Sequence, residues 1–384
     1  MTVNNHYQRR FILKKLLLLI PLIVLVISCS KDNQQQNITF NTSIGGKDRD
    51  RGSSVQQTSD GGYIITGATK SYGEGITDVV LLKTNVRGKK EWLQTFGGSE
   101  VDDGESVQQT SDGGFIVTGY VGSIENSLLL LKTESFGNKE WSKTFKKDSI
   151  DWGYSVQQTT DGGYVVVGGD WLIKTDFMGG EEWNTTLGKG FKDLRSVRQT
   201  QDGGFILTGE GDSEQNEEGN DILLIKTDSH GKEVWHRSFG GSGFPSGNEV
   251  QQTSDGGYVI FGSSDVFSQG GSRILLIKTD QNGIEEWNKI FKYGDRDGGY
   301  SGTQTSDGGF IVAGSTRSDG AGSKSALLLK TNPSGNEEWV RLFEDCFISS
   351  VRQTLDGGYV IVGMDSSRDI WLAKTDSSGR IPQK

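Results

Sequence analysis

Cysteine, histidine and proline are scarce in this chain of 384 residues, which holds two, three and four of them respectively. Two cysteines exclude a disulfide scaffold. His6 lies near the start, which leaves His230 and His236, too few for a histidine-built metal centre. No GxSxG, HExxH, P-loop or dinucleotide fingerprint occurs, so those hydrolase, zinc-protease and nucleotide sites are excluded as motifs. Positive charge is in deficit. The formal net charge is -10, and about -14 without Arg9, Arg10, Lys14 and Lys15. An acidic body repels polyphosphates, so nucleic acid is not expected as a partner. Long apolar runs are also lacking, apart from Leu16 to Ile27.

Glycine is present in quantity, with 56 residues. Glycine without proline suits tight turns between short strands. The stretch Val55 to Gly67, VQQTSDGGYIITG, recurs seven times, marked by Asp60, Asp112, Asp161, Asp202, Asp255, Asp307 and Asp356. Repeats spaced by 41 to 53 residues indicate a propeller, solenoid or array. In the fifth copy, Glu249–Thr253 reads as a strand and Asp255-Gly256-Gly257 as a hairpin turn. Tyr258–Gly262 is a second strand and Arg273–Thr279 a third, apolar on both faces. Glu286–Phe291 is a fourth. Four antiparallel strands in about 50 residues make one propeller blade. The expected fold is therefore all-β: a seven-bladed β-propeller over residues 38–384.

The chain ends suggest how the ring closes. The last copy has three strands and then stops at Arg380-Ile381-Pro382. The missing fourth strand is found at residues 38–46, which align with 91–98 and put Phe40 in a tryptophan slot. Trp92, Trp141, Trp183, Trp235, Trp287 and Trp339 fill that slot in the other copies and are expected to dock blade on blade. Each could bury ~200 Å², at most about 5 kcal/mol. Trp171 and Trp371 replace a third-strand leucine and also read as packing.

The pattern QTSDGGYIxxG…LLKTDxxGxEEW resembles the β-propeller repeats of bacterial and archaeal secreted and cell-surface proteins. It is also similar to the tryptophan-docking repeats of quinoprotein-type propellers, in which an aspartate, a glycine and a tryptophan close each blade, as Asp176, Gly179 and Trp183 would here. Those families include quinone-dependent dehydrogenases and a lipoprotein scaffold of outer-membrane assembly. The docking motif is structural and does not bring the quinone with it.

Residues 1–28 read as a secretory leader, with a basic start and an apolar run too short for a comfortable membrane span. Val26-Ile27-Ser28-Cys29 resembles the lipobox of bacterial lipoproteins. That resemblance implies that Cys29 is the lipid-attachment residue and that residues 29–37 are a tether. The alternative is an uncleaved signal anchor with an incidental cysteine. Ser30 after the cysteine implies the outer membrane, by resemblance to Gram-negative lipoproteins, and the expected location is the cell envelope, at the outer membrane or cell surface.

Strand direction puts the SDGG and TDxxG turns on one face, where the copies hardly differ. The crossing loops and the second-to-third-strand loops fall on the other, where length and charge vary, so a specific partner is expected there. Blade three has almost no loop, which predicts a notch beside Trp152. Trp152, Tyr72, Phe244 and Phe267 are the candidate contact residues for a protein or glycan. Asp48 and Asp50, Asp102 and Asp103, and Asp295 and Asp297 are placed in crossing loops, and Glu210 to Asp221 is rich in acids. Calcium is the one cofactor these clusters suggest, but none has the full DxDxDG spacing. No catalytic residue is assigned. The expected protein is a lipid-anchored, monomeric, non-catalytic binding or scaffolding propeller. The alternatives are a lyase or glycoside hydrolase using loop carboxylates, a quinone-type oxidoreductase, and a structural scaffold of envelope assembly. The enzyme reading requires acids that converge on the central mouth.

Overall fold

The computed structural model describes residues 38–122, 127–147, 152–188, 190–212, 220–240, 245–265, 271–317 and 324–382. Cys29, the leader, the tether, Phe244 and Phe267 lie outside them. The described residues form twenty-eight strands, numbered β1 to β28 in chain order, and no helix. The strands make seven antiparallel sheets of four. Blade one is β2 (Asp50–Gln57), β3 (Tyr63–Thr69), β4 (Asp78–Thr84) and β5 (Lys90–Phe96), in that spatial order. Every residue of β3 and β4 is buried, because neighbouring blades cover both faces of the sheet. β5 is the outer strand and is largely half-exposed.

Both ends of the chain build blade seven. β1 (Phe40–Ile44) pairs antiparallel with β28 (Ile370–Thr375), with Phe40 opposite Lys374 and Ile44 opposite Ile370. The sheet continues through β27 (Tyr359–Met364) to β26 (Phe347–Gln353). Blade seven also packs on blade one, through contacts of β2 with β26 and β27. The seven sheets therefore form a closed ring, and no blade presents a large uncovered face.

The tryptophans dock the blades, but differently from the expected motif. Gly179 sits on Trp141 of the preceding blade, not on Trp183 of its own. A Cβ at Gly179 would lie 2.6 Å from the Trp141 ring, so only glycine allows this approach. Each blade's turn glycine caps the previous blade's tryptophan in the same way, and Gly88 caps Phe40. The ring edge then meets a tyrosine or phenylalanine of the next blade, as in Trp141–Tyr164 at 5.8 Å and Phe40–Tyr63 at 5.6 Å. The six tryptophans stay half-exposed on the outer strands, so the upper-bound burial is not reached. The core lies further in, among strand-two and strand-three side chains such as Ile65, Leu82 and Val362.

The repeated aspartate is also structural. Asp60 accepts hydrogen bonds from the Thr58 hydroxyl at 2.5 Å and from the Gly62 N–H at 2.9 Å, and its other oxygen pairs with buried Lys83 at 2.9 Å. Lys83 also bonds the Thr84 carbonyl and Glu91. One lysine thus ties two turns together, and the Lys–Asp pair recurs in all seven blades. Partial burial alone would raise these carboxyls. The threonine, lysine and N–H bonds outweigh it and hold Asp60, Asp112 and Asp161 at about 2. Asp202, Asp255, Asp307 and Asp356 are likewise lowered. A carboxylate depressed in the folded state stabilises above its unfolded value and loses that contribution as pH falls toward the folded one. The expected result is a melting temperature that does not fall from neutral pH to about 4, then drops steeply between about 4 and 2. Thermal melts by circular dichroism over that range test it; a collapse already complete at pH 5 would contradict it.

Candidate functional site: the central channel

The seven first strands line a channel along the propeller axis. They are β2, β6 (Asp102–Gln109), β10 (Ser155–Gln158), β14 (Phe191–Gln199), β18 (Ser246–Gln252), β22 (Arg296–Gln304) and β26. Most of these strands run further toward the variable face than the repeat suggests. Asp50, Asp102, Asp103 and Asp297, expected in crossing loops, are strand residues. The ladder continues beyond the repeat because an extra residue is absorbed as a bulge.

Six of the strands carry that bulge at the same place, for example between Gly52 and Ser54 and between Gly104 and Ser106. A bulge re-aims a side chain. The extra residues are Ser53, Glu105, Arg195, Asn248, Tyr300 and Ser349, and all line the channel mouth with Tyr154 of blade three. The mouth encloses about 310 Å³. Five residue types share the seven positions of this ring, whereas the ring below is serine in six blades. Chemical individuality is therefore concentrated in the mouth.

Two arginines organise the mouth. Arg51 pairs with Asp103 and lies 3.3 Å from Glu105. Arg195 pairs with Asp193 at 2.9 Å and Glu210 at 3.1 Å, and donates to Asn248 at 2.8 Å. Burial, opposed by Arg51, raises the Asp103 carboxyl. Burial and the neighbouring Asp103 charge push the Glu105 carboxyl up to about 7. Burial and the Asp193 charge raise the Tyr154 phenol far above its usual value.

Aromatic rings flank these groups on opposite sides. Trp152 stacks on Tyr120 with centroids 5.1 Å apart and planes at 18°, and meets Tyr154 edge-on at 6.1 Å. Tyr300 and Phe347 pair at 5.4 Å on the far side. Trp152 keeps 37 % of its surface exposed. Trp152 and Tyr120 stand beside the mouth through Tyr154 rather than among its lining residues, and Tyr72 is not part of the lining. Its hydroxyl donates to the Gly45 carbonyl at 2.7 Å, which ties the blade-one loop to the segment after β1.

Below the serines the channel narrows on an ion triad. Glu249 replaces serine in blade five, and Arg198 and Arg352 replace glutamine in blades four and seven. Arg198 Nη2 lies 2.9 Å and Arg352 Nη2 2.7 Å from Glu249 Oε1. Arg352 Nη1, the Ser301 hydroxyl and the Gly302 N–H bond Oε2. Burial alone would raise Glu249; the two guanidiniums and these hydrogen bonds hold it below the usual carboxylate range.

The acids read as calcium ligands have local partners. Asp102 accepts from the Gly98 and Gly122 N–H groups, and Asp297 from those of Tyr293 and Gly294. Among the described residues no three His, Cys, Asp or Glu side chains are grouped as a metal site. Glu214, Glu217 and Glu218 lie outside the described residues.

Sequence reasoning misses the channel residues because it treats the first strand as invariant scaffold and seeks individuality in loops. The usable signal is the column just before SVQQ, which varies from serine to glutamate, tyrosine, arginine and asparagine. The charged departures from the serine and glutamine columns add to it.

No family model matches the chain, and no curated protein matches it in sequence. Among solved structures, a protein of unknown function from Bacteroides caccae, crystallised at 1.35 Å resolution, is similar with a TM-score of 0.44 and 14 % identity, over 67 % of this chain and 93 % of that one.

Proposed function

We propose that this propeller is a non-catalytic binding module of the cell envelope that takes a glycan at the channel mouth on its variable face. The observation that carries the reading is the Trp152–Tyr120–Tyr154 cluster beside the Arg51 and Arg195 carboxylate pairs. Sugars present apolar ring faces and a rim of hydroxyls. Aromatic faces suit the first, and fixed charged donors and acceptors in a concave site suit the second. A protein-docking face would instead be expected to offer a broad apolar core.

Lipid attachment at Cys29 is part of this proposal, and the strand order supports its geometry. Phe40 lies opposite Lys374, at the end of β28 that leads into the Asp376–Gly379 turn. The described chain therefore enters β1 at the constant-face end of blade seven.

Trp152→Ala is expected to lower retention of the full-length protein on envelope polysaccharide at least ~tenfold, a typical loss for an aromatic anchor, with the melting temperature little changed. Affinity electrophoresis in polysaccharide gels measures it. Unchanged mobility would remove the glycan reading.

A second reading, polysaccharide cleavage, is favoured by one feature. Glu105 lines the mouth next to Asp103, and burial and that neighbouring charge raise its carboxyl, which is the placement and the direction of shift a general acid needs. Release of reducing ends by wild-type protein, lost in Glu105→Gln, would support it over simple binding.

A further inference from the structure

We infer that the constant-face end of the channel is a second site, on the other side of the Arg198–Arg352 neck that it shares with the mouth, built to hold the carboxylate of a small organic monoanion about the size of a sugar acid. This cavity, of about 410 Å³, opens between the SDGG turns and has the Glu249–Arg198–Arg352 triad at its base. No aspartate or glutamate is among the described residues that line it, although the chain carries a formal charge of -10.

Three observations make it a donor-rich site. Both oxygens of Glu249 are fully engaged by the two arginines, Ser301 and Gly302, so the triad offers the cavity a net single positive charge and no acceptor. Arg198 and Arg352 each retain Nε–H and one Nη2 proton beyond their bonds to Glu249, serine and backbone. Gln56, Gln108 and Gln157 line the open side, on blades one to three. Their Oε1 atoms accept the N–H groups of Gln109, Gln158 and Gln199 at 2.6, 2.7 and 2.6 Å. That fixes each amide, because a reversed one would set NH₂ against N–H. The Nε2 groups are therefore the ends left for the cavity.

Guanidinium and amide donors with no competing carboxylate among the described lining residues match a carboxylate ligand. One surplus positive charge matches a monoanion better than a phosphate dianion. The triad fills the side of blades four to seven, so the free volume and the free donors coincide.

The test uses the full-length protein in detergent at pH 7 and low salt, titrated calorimetrically with sodium glucuronate, glucose and inorganic phosphate. Saturable binding of glucuronate at one per chain, with none of glucose, is expected. Gln108→Glu keeps the acceptor for the Gln158 N–H but replaces the amide donors with negative charge. It should weaken glucuronate at least ~tenfold, as a like charge at the site would. Gln157→Glu repeats the measurement in the next blade should the first variant fold poorly. Trp152→Ala should leave this binding unchanged, which separates the neck from the glycan mouth. Absence of glucuronate binding, equal binding to Gln108→Glu or Gln157→Glu, or tighter binding of phosphate would each overturn the assignment.

Discussion

Removal of residues 38–46 should abolish the folded propeller. The deletion takes away β1, whose five residues pair along β28 from Phe40–Lys374 to Ile44–Ile370. It also removes the 9 %-exposed Phe40 ring, which packs on Tyr63 and beneath Gly88. Burying one such aromatic is worth roughly 1.5–3 kcal/mol, and each lost ladder hydrogen bond about 1 kcal/mol. The sum, at least ~5 kcal/mol, approaches the whole stability of an ordinary domain. The fully buried β28 would become a bare edge open to pairing with other chains. Insoluble protein, or loss of a cooperative melt, is the expected outcome.

A circular permutant separates ring closure from the mere presence of residues. In blade one, Thr84 and Trp92 are joined through the turn Asn85–Gly88. Joining Arg380 directly to Ile38 reproduces that spacing, with Phe40 in the tryptophan slot and new ends in the segment near Lys47 and Asp48. The permutant should fold and melt close to the wild type. A stable, monomeric deletion variant would show that the shared blade is dispensable.

Glu249→Ala is the second large effect. It leaves Arg198 and Arg352 facing one another in the channel with no counter-charge. Breaking a buried pair by removing one partner costs about 3–5 kcal/mol. Urea unfolding should show the midpoint falling without a change in slope. The compensating variant follows from the repeat itself. Glu249→Ser with Arg198→Gln and Arg352→Gln gives all three positions the residues found in most other copies. Replacing a buried ion network as a unit is often neutral or stabilising by ~1–4 kcal/mol. The amide that Arg198→Gln introduces is placed to accept the Gln252 N–H, as Gln157 accepts that of Gln199. Recovery of stability, together with loss of glucuronate binding, would show that the triad serves the ligand more than the fold. A triple variant as weak as Glu249→Ala would assign it to the fold.

The second glutamine of VQQT shows why the repeat is legible in the sequence and its role is not. Gln57, Gln109, Gln158, Gln199, Gln252, Gln304 and Gln353 each accept an N–H from the turn of the preceding blade, and Leu355 to Gln57 closes the circle. Buried lysines in LLKT likewise reach the SDGG aspartates. Both patterns are plain as repeats, but their partners are in other turns or other blades. Periodicity announces that a position matters without naming what it touches.

The amino-acid sequence alone determined the number of blades, the four-strand unit and the sharing of blade seven by the two ends. Those features follow from local turn chemistry and alternation, repeated seven times. Only the tertiary structure decided that glycines dock on the preceding blade's tryptophan, that bulges aim the variable column into one mouth, and that Arg198, Glu249 and Arg352 meet across the axis. Glu249 and Arg352 are 103 residues apart along the chain. Closing a ring brings together positions that no local pattern relates, and that is where the individual chemistry of this protein lies.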